Sequence, residues 1–330
     1  KDKNPNLETG EIEVVVDKVE IINSAKTTPL IIADETDALE DTRLKYRYLD
    51  LRRPIMQKKL LMRHAITKSL RGYLDDHGFV EIETPVLGKS TPEGARDYLV
   101  PSRVHPGCFY ALPQSPQLFK QLLMISGFER YYQFARCFRD EDLRADRQTD
   151  FTQLDMEMSF LSDVEIQTMM EEMLAKLMKD VKGLDIPTPF LRLSYEEAMN
   201  RYGSDKPDNR FGMELQEITS LFENSSFKVF KDCVEAKGSI KAVVVPNMAH
   251  MTRKEIDKVT ELAKKNGAKG LVTLKYMDNV LSGPIVKFLS DDEIHAVCDT
   301  LKLKEQDLVL IVSDKWNTTC NVLGALRNHF

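Results

Sequence analysis

Apolar side chains at Leu60, Leu61, Ile66, Leu70, Tyr73 and Leu74 recur every three to four residues, which predicts one long amphipathic helix. Pro54 suits its first turn and Gly78 the position just past its end, so both boundaries are marked. A period of two predicts a strand over residues 11–22, closed by Asn23-Ser24 and Pro29. A single strand cannot fold alone, so this one reads as the tail of a β-domain. A short strand follows the long helix at 79–83 and is stopped by Thr84-Pro85. Further strands fit 109–112, 130–138 and 151–160, and helices fit 117–125 and 164–181. Beyond Gly183-Leu-Asp-Ile-Pro-Thr-Pro189 the texture changes. There the pattern predicts strands at 242–245, 270–276 and 308–312, with helices at 253–266 and 291–301. The sum is an α+β chain of 330 residues in two packed units, because single cores stop growing near this length.

Composition narrows the class. With 42% hydrophobic and 30% charged residues the chain is of ordinary globular type, neither disordered nor collagen-like. Its longest apolar runs, such as 308–312, fall far short of the roughly 20 residues a membrane helix needs. No apolar signal segment follows Lys1. The five cysteines are scattered and never form a C-x-x-C pair, which speaks against a disulfide scaffold or zinc knuckle and for a cytoplasmic protein. The six histidines lack ligand spacing, so no metal site is expected from them. A net charge of −6 excludes polyanion binding by bulk charge. Residues 43–71 are nevertheless basic, with Asp50 the only acid; they read either as a solvated helix face or as a phosphate-contacting surface.

The densest chemistry runs from Arg136 to Gln148 and on into Phe151. A charged loop between two strands makes a hairpin whose rim carries Arg139 and Glu141. The guanidinium suits bidentate phosphate recognition, the carboxylate can accept from an exocyclic amine, and Phe151 can stack on a base. A solvated loop would show the same alternation of charge. Upstream, Gln117 and Lys120 lie three apart on a predicted helix, presenting an amide and an ammonium on one face. Such a pair serves a carboxylate ligand or simply a wet surface.

Taken together and in this order, these segments resemble the class II aminoacyl-tRNA synthetases, and within them the bacterial aspartyl branch. Gly78-Phe-Val-Glu-Ile-Glu-Thr-Pro85 is similar to motif 1, and Phe138-Arg-Asp-Glu141 with Arg147-x-x-x-Phe151 to motif 2. The runs 46–53, 91–103, 114–123 and 138–148 resemble aspartyl signatures specifically. The resemblance implies an antiparallel catalytic sheet flanked by helices at 46–206, preceded by the end of an OB-fold and a hinge at 1–45. It implies an inserted GAD domain at 207–321 and a return to the catalytic domain at 322–330. The implied reaction joins L-aspartate and ATP into aspartyl-adenylate and passes the aspartyl group to tRNA-Asp, in a homodimer. Arg139 is then the catalytic group on the α-phosphate. Asp140, Glu141, Gln148 and Phe151 join it around ATP. Gln117 and Lys120 read the aspartate side chain, with Glu93, Gln114, Ser115, Gln153 and Asp155 around its ammonium. Arg144 and Arg147 face the acceptor stem. The sequence departs from the family at Gln148-Thr-Asp-Phe151, where Gln-Pro-Glu-Phe is usual, a loop-tip change expected to be tolerated. Motif 3 and most of the anticodon-binding fold are not found in these residues. The implication is that they are inactive alone and that Mg2+ accompanies ATP through ligands mostly elsewhere. Asparaginyl enzymes share motif 2 but have no use for an ammonium at Lys120. An aspartate–ammonia ligase would not carry the strand at 11–22, and a non-catalytic, tRNA-binding GAD module would not need motif 2.

Overall fold

The computed structural model describes residues 3–7, 9–144 and 146–330, and its contacts divide it into two units, Lys1–Phe190 and Leu191–Phe330. Unit 1 opens with residues 11–22 extended but unpaired and exposed. The strand expected there is absent because a strand needs a ladder partner, and none of the described residues supplies one. Two short helices follow, α1 (Glu40–Lys45) and α2 (Arg47–Asp50). Part of the basic stretch is consumed here: Asp50 is fully buried and accepts from Arg43, Arg47 and Arg53 at 3.0, 2.9 and 2.7 Å.

Helix α3 (Pro54–Asp76) starts on its proline and ends before Gly78, whose φ of +76° is the left-handed conformation glycine adopts freely. Leu70, Tyr73 and Leu74 enter the core, but Leu60 and Leu61 remain exposed, so the apolar stripe serves this core only in its second half. Then come β1 (Val80–Glu81), β2 (Leu99–Pro101), β3 (Phe109–Ala111), α4 (Gln117–Ile125), β4 (Arg130–Phe138), β5 (Asp150–Met158) and α5 (Asp163–Lys182). Strands β1 and β4 pair in parallel, β4 and β5 antiparallel, and β2 with β3 forms a separate ribbon. A reciprocal Ser162/Glu165 capping box starts α5 and left-handed Gly183 ends it. Leu154, Met156 and Met158 on β5 and Tyr132 and Phe134 on β4 pack with α3 and α5. By the period of two, the opposite face of this hairpin carries the alternate residues, among them Gln133, Gln153, Asp155 and Glu157.

Unit 2 contains α6 (Tyr195–Tyr202), β6 (Gln216–Glu217), α7 (Lys228–Glu235), β7 (Ser239–Val245), α8 (Arg253–Lys265), β8 (Val272–Met277), β9 (Val280–Ser282), α9 (Asp291–Leu301), β10 (Asp307–Asp314) and α10 (Trp316–Arg327). The sheet order is β6-β7-β10-β8-β9, antiparallel throughout. Helices α8 and α10 cover one face through Val259, Val322 and Leu326, and α7 and α9 the other through Phe230 and Val297. Burial on both faces is why β7 and β10 read as continuous apolar runs. Residues 191–206 and 322–330, which the resemblance groups with 46–190 in one catalytic domain, lie in this unit by their contacts. Among the described residues no helix is long and apolar enough to cross a membrane.

Candidate active site

The polar face of the β4–β5 hairpin carries Phe151, Gln153, Asp155 and Glu157 opposite Cys137, Ala135, Gln133 and Tyr131. Helix α4 lays Lys120 across it. The Lys120 ammonium stands 2.9 Å from Asp155 Oδ1 and 3.3 Å from Glu157 Oε2, with Lys120 12% and Asp155 3% exposed. Gln153 Nε2 donates to the other Asp155 oxygen at 2.6 Å. Burial alone would lower the lysine pKa, but the two carboxylates outweigh it and hold it above the ordinary value. Burial likewise pushes the Cys137 thiol up to about 11, with Asp155 adding to the effect.

A second cluster lies under the 91–97 loop. Buried Gln114 accepts from Ala95 N and donates to Ala95 O and to Asp97 Oδ1 (3.0, 2.9 and 2.5 Å). Ser115 Oγ donates to Glu93 Oε2 at 2.7 Å and Thr91 Oγ1 to Glu93 Oε1 at 3.0 Å. At the hairpin rim, the Arg139 guanidinium lies 5.1 Å above the Phe151 ring, and Arg147 Nη1 lies 3.5 Å from Glu141 Oε2. Asp140 joins Arg96 through the backbone, and with Glu141 both line an open cavity of about 520 Å3. A cleft of about 490 Å3 is lined by Arg71, Glu81, Pro85 and Arg136 and reaches Gln133 and Ala135 of the hairpin, but not Lys120.

Of the residues expected here, the fold joins Lys120, Gln153 and Asp155 in one network, Glu93 and Ser115 in a second, and Arg139 with Phe151 at the rim. It does not join Gln117, which has no side-chain partner among the described residues, or Gln148 and Arg144, which are exposed. Glu157 and Asp97 were not expected. Glu157 was detectable in principle, since it repeats the two-residue period of Gln153 and Asp155; the fold of the 91–97 loop that brings in Asp97 left no such signal. Among the described residues no three His, Cys, Asp or Glu side chains are grouped to hold a metal ion.

The chain belongs to the class II tRNA synthetases (D, K and N), matching that family over residues 39–317. Within it, the chain is 57% identical over 325 residues to an aspartate–tRNA(Asp/Asn) ligase of Geobacillus sp. and 59% identical to that of Bacillus cytotoxicus. Each match covers 98% of this chain and 55% of the relative, so the chain spans about half the length of these curated relatives. A solved asparaginyl-tRNA synthetase from Pyrococcus horikoshii aligns with 96% of this chain and 76% of its own, at 16% identity and a TM-score of 0.46.

Proposed function

We propose that the polypeptide carrying these residues activates L-aspartate with ATP and transfers the aspartyl group to tRNA-Asp. The observation that carries this reading is the shielded ammonium of Lys120, which pairs with Asp155 and Glu157 and has a third N–H to donate to a ligand. An aspartate side chain accepts from that ammonium in a bond between two ions, whereas an asparagine amide offers only the weaker bond of a neutral carbonyl. In the first step an oxygen of the substrate α-carboxylate attacks the α-phosphorus of ATP and pyrophosphate leaves. No protein nucleophile takes part, so positioning and charge neutralisation carry the rate. Arg139 neutralises the α-phosphate and the attacking carboxylate; adenine stacks on Phe151, and Asp140, Glu141 and Gln148 hold the rest of the nucleotide. Glu93, Gln114, Ser115, Gln153 and Asp155 surround the aspartate ammonium, and Gln117 joins Lys120 at the side chain. In the second step a ribose hydroxyl at the tRNA end attacks the adenylate carbonyl and AMP leaves, with Arg144 and Arg147 on the acceptor stem.

The same reading assigns residues 46–206 to catalysis, 207–321 to a GAD insertion and motif 1 to a homodimer interface. The test is ATP–pyrophosphate exchange by the polypeptide that contains this sequence, with aspartate or asparagine as the amino acid. Exchange with aspartate alone is expected, followed by charging of tRNA-Asp; the relatives' name makes tRNA-Asn the second acceptor to assay. Exchange driven by asparagine would overturn the assignment.

A further inference from the structure

Unit 2 contains a cavity of about 590 Å3 that the aspartate reading leaves without a role. Its origin is a mismatch in the sheet. Strand β10 pairs with β7 as far as Asp314↔Ser239, but with β8 only as far as Ile311↔Val272. Beyond that point the chain at 269–271 has left the ladder, and the corner opens between it, the end of β10 and helix α7. The floor and walls are apolar: Phe227, Val229, Leu271, Val272, Ile311 and Trp316. The Trp316 ring is fixed, because Nε1 donates to Asn200 Oδ1 at 2.7 Å, and that same oxygen accepts from the buried Lys241 ammonium at 3.0 Å. One wall is therefore preorganised rather than free to collapse inward. The volume falls within the range of about 300–1,000 Å3 that small-ligand sites occupy, and an apolar lining with few polar groups is their usual makeup.

The charges are uneven. Lys237, Lys269 and Lys315 line the cavity with Asp232 and Asp314. Asp314 is engaged, accepting from Lys315 N at 2.7 Å and pairing with Lys269 at 3.3 Å. That leaves two ammonium groups, Lys237 and Lys315, against the single carboxylate of Asp232, so the lining carries three ammonium groups to two carboxylates. An excess of one positive charge beside an apolar chamber is complementary to a body of aromatic or aliphatic carbon that ends in one negative charge.

We infer that this cavity binds a small amphipathic organic monoanion. Trp316, the one tryptophan of these 330 residues, makes the inference measurable when the emission of Trp316→Phe is subtracted. The probe is 8-anilinonaphthalene-1-sulfonate, and its uncharged counterpart N-phenyl-1-naphthylamine supplies the comparison. Saturable binding of one sulfonate per chain is expected, with Trp316 emission falling by energy transfer as the probe brightens. Lys237→Glu/Lys315→Glu changes only exposed side chains and should leave the unfolding midpoint in place. It should weaken sulfonate binding about tenfold at low salt, and the uncharged probe less than twofold. The inference fails if the sulfonate does not saturate, if it saturates without loss of Trp316 emission, or if the double variant holds it within twofold of the parent. These readouts do not involve aspartate or ATP, so they stand or fall separately from the exchange assay.

Discussion

Lys120 concentrates the residue-scale argument. Its ammonium is nearly enclosed, and it shares Asp155 with Gln153, so removing the charge strands two carboxylates as well as the substrate's. Lys120→Met keeps most of the stem's bulk. Truncating one partner of a buried charge pair costs about 2 to 5 kcal/mol, hence aspartate kcat/KM in the polypeptide carrying this sequence should fall by roughly 30- to several-thousand-fold. The KM for ATP should hold nearly constant, since Arg139 and Phe151 are untouched. Arg139→Ala should reverse the pattern, slowing adenylate formation by about 10²- to 10³-fold while aspartate binding changes little. Exchange kinetics over both substrates separate the two variants. If Lys120→Met stayed within about threefold of the parent, less than 1 kcal/mol, the lysine would not select the substrate.

At the scale of elements, close packing decides what the chain tolerates. Helices α6 and α10 touch at two glycines: a Cβ on Gly203 would sit 2.2 Å from Cys320 O, and one on Gly324 would sit 2.4 Å from Gly203 O. Gly324→Ala should therefore destabilise unit 2 by about 3 kcal/mol, the upper end of ordinary overpacking costs. Gly212→Ala, which points into open space, should change it by less than about 0.5 kcal/mol. Urea unfolding followed by Trp316 emission measures both. The start of α3 makes a pH prediction. Arg43 and then Arg53 hold the Asp50 carboxyl near 2, below its ordinary 3.8. A carboxylate depressed on folding contributes stability above its ordinary pKa and loses it as pH falls through the folded one. Hydrogen-exchange protection of residues 33–56 should then drop between about pH 4 and pH 2; in Asp50→Asn it should be low and flat across that range. Elements of this kind were legible where the chain carries its own punctuation. Residues 130–138, 117–125 and 291–301 fold as the pattern predicts, and the capping boxes at Ser162 and Ser290 show why two of the helices begin where they do. Helices α6, α7 and α10 were not legible, because α6 and α7 are only two turns long and α10, buried along Cys320, Val322, Leu323 and Leu326, shows no clear polar face. The strand at 11–22 failed for the opposite reason: alternation states a preference, and pairing needs a partner. In the site, the rim and Lys120 were legible through residue type, whereas Asp97 depended on a loop whose course no periodicity encodes.

For the molecule as a whole, the open question is what covers the first half of α3. Leu60 and Leu61 are 55% and 65% exposed, and Val80, Val86 and Leu87 further along are exposed as well. Where exposed apolar side chains form one contiguous patch they serve association. Val80 lies within, and Val86 and Leu87 directly follow, the segment Phe79–Pro85, the one whose resemblance to motif 1 implies a two-fold interface. Such an interface is isologous, so each substitution enters it twice. Leu61→Glu/Val86→Glu would place four carboxylates in the dimer while leaving each monomer's core alone, because both side chains are outside it. Counting only about 1 kcal/mol per buried charge after relaxation gives about 4 kcal/mol, a rise in the dimer dissociation constant of roughly 10³-fold. Sedimentation velocity on the polypeptide carrying this sequence should show a dimer for the parent at micromolar concentration and a monomer for the variant, with unchanged far-ultraviolet circular dichroism. A parent that sediments as a monomer would remove the interface from motif 1 and leave the exposed leucines of α3 to another partner.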